Sequence, residues 1–79
     1  MPRVLMVDGI VFKIYFADHV PPHVHVTYSE HEELLVIADG STYAGSLPAA
    51  QHRVAVAWIE KNRGHFQAVW DRCNPKRKP

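Results

Sequence analysis

Two hydrophobic periodicities meet at Pro48, and a fold must satisfy both to bury this chain. Ahead of it, Ile10, Phe12, Ile14 and Phe16 recur at every second position with Lys13 opposed, the pattern of a half-buried strand. Asp8-Gly9 stands between that run and residues 4–7, a strong hairpin signal because both central residues of such a turn need positive φ. Beyond Pro48 the period changes. Val54, Ala57 and Trp58, then Phe66, Val69, Trp70 and Cys73, recur at helical spacing. Ser46 suits an N-cap, Pro48 a first helical turn and Gly64 a break between two helices. Pro75 stops the second helix. Strands first and helices after predict an α+β fold, a small antiparallel sheet of four to five strands followed by two C-terminal helices packed on one face.

Between the periodic ends, Pro21 and Pro22 interrupt the chain, since neither can donate to a ladder. A strand resumes at His23, with Val24, Val26 and Tyr28 on one face and His23, His25 and Thr27 on the other. Residues 29–32 form a polar turn into a strand over 34–38. Asp39-Gly40 is a second turn signal, and Thr42, Tyr43 and Ala44 can return as a fifth strand.

With 79 residues, the chain is expected to be one α+β domain over 1–73 with a basic flexible tail over 74–79. Such a chain buries only about 60% of its unfolded surface, so its 47% apolar content goes into one core or into a partner. Trp58, Trp70 and Cys73 lie in the helical stripes and read as core residues. The single cysteine excludes an internal disulfide and fits a reducing, cytoplasmic setting. Residues 54–59 are the longest apolar run, too short to span a bilayer. No leader is expected, because Asp8 closes the first apolar stretch.

The net charge of +1 conceals a division. Residues 1–52 carry two basic side chains against six acidic ones, a net −4, while residues 53–79 carry seven against two, a net +5. Arg53, Arg63, Lys76, Arg77 and Lys78 are the candidate phosphate contacts.

Four of the six histidines fall between positions 19 and 31. His23 and His25, two apart on a strand, point their imidazoles to the same side. His19 or Asp18, returned by the proline turn, offers a third ligand, and Glu30 or His31 a fourth, for zinc or another imidazole-binding divalent metal. The same residues support acid–base chemistry, with Asp18 orienting His23 or His25 and Arg53 or Arg63 assisting on a phosphodiester. A third reading is structural. Asp18 and His19 then bond the backbone groups that the prolines leave open, while His23 and His25 lie on a partly exposed sheet face. This reading is preferred, so no cofactor is expected, with a divalent metal as the alternative.

Two look-alike motifs are excluded. His23-x-His25-x4-Glu30 mimics a cupin motif, but the chain is too short for that barrel. A histidine-triad motif fails because Thr27 stands where its third histidine belongs.

Asp18-His19-Val20-Pro21-Pro22-His23-Val24-His25, with Gly45-Ser46-Leu47-Pro48 and Trp58, Asn62, Arg63 and Trp70 beyond it, resembles the bacterial domain-of-unknown-function family 4160. The likeness extends from about Val4 to Cys73, although relatives usually carry a basic residue where this chain has Ala49 and Ala50. The resemblance implies small genes paired with a second short reading frame, as in toxin–antitoxin modules or mobile elements. It carries Asp18, His19, Pro21, Pro22, His23 and His25 over as the motif, without a chemical role.

The expected function is a small cytoplasmic interaction module that binds a partner protein or a second copy of itself. The alternatives are a histidine- or metal-dependent nuclease and a nucleic-acid-binding regulator.

Overall fold

The computed structural model describes residues 3–16, 18 and 21–75, and for Arg3 and Val4 the backbone alone. Five strands, β1 (Arg3–Val7), β2 (Ile10–Lys13), β3 (His23–Tyr28), β4 (His31–Val36) and β5 (Thr42–Ser46), precede α1 (Ala49–Lys61) and α2 (Arg63–Cys73). The strands form an antiparallel meander in chain order, so β3 is central. Asp8 (φ 49°) and Gly9 (φ 79°) are both left-handed and place Val7 opposite Ile10, the two-residue turn that Asp-Gly favours.

Register defines two faces. Phe12 lies opposite Val26 and Val24 opposite Leu35. These residues, with Ile10, Ile14 and Ile37, pack under Ala55, Ile59, Phe66, Val69, Trp70 and Cys73 from the helices. The Phe12 and Phe66 rings meet at 5.7 Å. The outer face carries Met6, Val11, Thr27 and Glu32 in one row and Lys13, His25, Leu34 and Ala44 in the next. The buried cluster contains none of these outer residues.

Several sequence expectations shift. Phe16 continues the alternation but is 62% exposed, because the ladder ends at Lys13. Ser46 belongs to β5, and Pro48 occupies the N-cap without a side-chain hydrogen bond. The first helix ends at Asn62, close to where the sequence period runs out, and Gly64 itself lies within α2. In α1 the buried residues are Ala55 and Ile59, while Val54 and Ala57 face out. Asn74, assigned to the tail by sequence, donates from Nδ2 to the Tyr15 carbonyl at 3.0 Å.

Both edges are irregular. The β1–β2 register slips between Arg3 and Leu5, and the β4–β5 register slips so that Tyr43 is the extra residue between Ala44 and Thr42. Gly45 (φ 75°) passes so close to the Glu32 carbonyl that a Cβ would collide with it. Bulges of this kind protect an edge from pairing with further strands.

Candidate functional site

The site lies where β3 leaves the proline turn. Pro22 receives a hydrogen bond from Ile37 N at 3.0 Å, which holds the turn against the end of β4. His23, the first residue of β3, is fully buried, not on a partly exposed face as expected. Its Nδ1 donates to the Pro21 carbonyl at 2.7 Å. Aromatic rings from distant parts of the chain enclose it, with Tyr43 stacked at 5.5 Å and Trp70 at 5.3 Å. The sequence pattern put His23 on the outer side, and it cannot show that α2 and β5 bring Trp70 and Tyr43 there.

His25 follows on the same face, its side chain 16% exposed. The Tyr15 ring meets it edge-on at 4.3 Å. Its Nδ1 lies 3.2 Å from Glu32 Oε2. Glu32 was not singled out by sequence, yet the register could have found it. Once the turn at 29–30 sets Tyr28 opposite His31, Glu32 faces Thr27 and lies diagonal to His25.

Asp18 completes the cluster. Its Oδ2 lies 3.1 Å from both His23 Nε2 and His25 Nε2, and the three ligand atoms are all within 4.8 Å of one another. Asn74 fixes this carboxylate's backbone, since its Oδ1 accepts from Asp18 N at 2.5 Å while its Nδ2 bonds Tyr15. An asparagine just before Pro75 at a helix end is a visible capping signal, but the basic residues after it suggested a tail.

The other candidates separate. His31 and Glu30 are exposed beyond the far end of β3, about 17 Å along a six-residue strand from His23. Arg63 spends its Nε–H on the Ile37 carbonyl at 2.7 Å. Arg53 is exposed on α1. His19, Lys76, Arg77 and Lys78 lie outside the described residues.

A second polar group lies on the inner face. Glu33, 2% exposed, faces Val26 and accepts from Thr42 Oγ1 at 2.5 Å and His52 Nδ1 at 2.8 Å. A carboxylate among core side chains is tolerable because both oxygens are bonded.

Among the described residues, no helix is long and apolar enough to cross a membrane. No curated protein and no solved structure matches the chain. A family model described as a domain of unknown function (DUF4160) matches residues 9–71, a span that includes Asp18, His23 and His25 and ends within α2.

Proposed function

The chain belongs to the DUF4160 family, and we propose that it is a cytoplasmic protein-interaction module that docks a partner chain on the open face of its sheet. The observation that carries this reading is the outer face itself. Met6, Val11 and Leu34 lie there with no helix over them, and Met6 is 58% exposed. Apolar residues on both sides of β3, on so small a surface, favour an interface.

Size and charge narrow the occupant. Five strands about 4.8 Å apart and about 17 Å long give a footprint of roughly 400 Å², short of the roughly 800 Å² per partner of a stable interface. The partner therefore also reaches Phe16 and Tyr43, the other large apolar side chains exposed beside the sheet. The sheet belongs to residues 1–52, which carry net charge −4. On the outer rows Lys13 and Glu32 cancel, so the acidic excess lies in the turns at the sheet's ends, at Asp8, Glu30 and Asp39. There a partner with an apolar centre and a basic rim is a better complement than a second copy. Addition of a strand at an edge is disfavoured by the bulges at both edges.

The partner suggested by family resemblance is the product of an adjoining short reading frame, in a toxin–antitoxin-like or mobile-element pair. Co-expression of the two chains tests this. A complex that survives high salt supports docking through apolar area. A chain that ignores that product but binds duplex nucleic acid at low salt and releases it at high salt overturns it in favour of phosphate-led regulation.

A further inference from the structure

We infer that Asp18, His23 and His25 bind a single divalent cation of the zinc class. Three observations carry this. The first is separation. Ligand atoms about 2.0–2.1 Å from a metal stand about 3.3 Å apart in a tetrahedron and about 2.9 Å apart at adjacent corners of an octahedron. Asp18 Oδ2 is already 3.1 Å from each Nε2, so each Asp–His pair stands at coordination distance. The three atoms together, all within 4.8 Å, need the two imidazoles to draw closer to share one ion.

The second is the proton arrangement around the rings. A carbonyl oxygen can only accept, so the 2.7 Å contact to Pro21 puts the proton of neutral His23 on Nδ1 and its lone pair on Nε2. His25 has a carboxylate at each ring nitrogen, Glu32 at Nδ1 and Asp18 at Nε2. A cation held by Asp18 leaves the ring proton on Nδ1 toward Glu32, the same tautomer as His23. A carbonyl or carboxylate on the outer nitrogen is the arrangement found behind metal-bound histidines, where it orients the ring and strengthens the ligand.

The third is donor chemistry in a nearly dry site. Two imidazoles and one carboxylate favour zinc and its neighbours over magnesium or calcium, which prefer oxygen. His23 is fully buried, and Asp18 and His25 are 15% and 16% exposed. Two ring nitrogens and a carboxylate oxygen brought together with so little water favour a proton or a cation among them. The competing occupant is a proton shared by Asp18 and His25, in the 3.1 Å contact they already make. The metal site stands independently of the docking reading, because it is measured on the isolated chain. Its structural consequence is a staple between the segment around Asp18 and the central strand.

Calorimetric titration with zinc chloride, paired with thermal unfolding, decides the matter. One zinc per chain is expected, with a midpoint that climbs as free zinc exceeds its Kd and does not move with magnesium. Asp18→Asn keeps the side chain's shape and should abolish the rise. Glu32→Gln, at a half-exposed position, should weaken binding about 10-fold with circular dichroism unchanged, which keeps the test valid if Asp18→Asn does not fold. His65→Gln, exposed on α2, should leave binding intact. No saturable binding, undiminished binding in Asp18→Asn or in Glu32→Gln, or loss of binding in His65→Gln overturns the inference.

Discussion

The amide of Asn74 bridges the end of α2 to the segment before the proline turn, donating to the Tyr15 carbonyl at 3.0 Å while its oxygen receives Asp18 N. Asn74 stands 59 positions from Tyr15 in the chain. Asn74→Ala leaves both groups unsatisfied in a part-buried place and should cost about 1–3 kcal/mol in urea unfolding. Because Asp18 loses its anchor, zinc affinity should fall as well, without being abolished. An unchanged affinity in a destabilised variant would separate Asn74 from the site.

What the sequence could tell depended on where each constraint originates. The Asp8-Gly9 hairpin was legible because its turn is a local φ requirement. The face of α1 was not, since residues 54–59 are apolar throughout and their period selects no side. Ala55 and Ile59 are inward only because the sheet lies against them. The pairing of His23 with His25 was visible as strand alternation, but the burial of His23 arrives from Trp70 and Tyr43. Asp18 stood out beside the histidines as one candidate ligand among several, and only the folded segment brings it to both rings.

Two glycines should respond in opposite directions. Gly45→Ala puts a Cβ into the Glu32 carbonyl at a left-handed backbone position and should cost at least about 2 kcal/mol. Gly64 has open space around it within α2, so Gly64→Ala should stabilise by about 0.5–1 kcal/mol. Chemical denaturation of both variants checks the pair.

The buried Glu33 should reveal itself through an asymmetry. His52→Ala removes a donor from a carboxylate that remains in the core, at about 1–3 kcal/mol. Glu33→Leu removes the buried charge and leaves His52, itself 37% exposed, free to meet water. The leucine variant should therefore be the milder of the two. If it is the more damaging, the carboxylate organises Thr42 and His52 more strongly than its burial opposes folding.

Acid should weaken the Asp39 turn. The Ser41 backbone N–H, then its hydroxyl, hold the Asp39 carboxyl below the usual carboxylate range. A lowered folded value means that the contribution is present above the unfolded value and is lost as pH falls through the folded one. Asp39→Asn should flatten the acid limb of the stability profile, as read by unfolding midpoints across that range.

The docking face is tested most directly by two lysine substitutions measured against the same partner. Leu34→Lys places a positive charge in the middle of the outer face, while Ala57→Lys places one on the exposed side of α1. Sedimentation of each folded variant with the product of the adjoining reading frame should show the complex lost with Leu34→Lys and retained with Ala57→Lys. Loss of the complex with Ala57→Lys alone would move the interface to the helices and contradict the account.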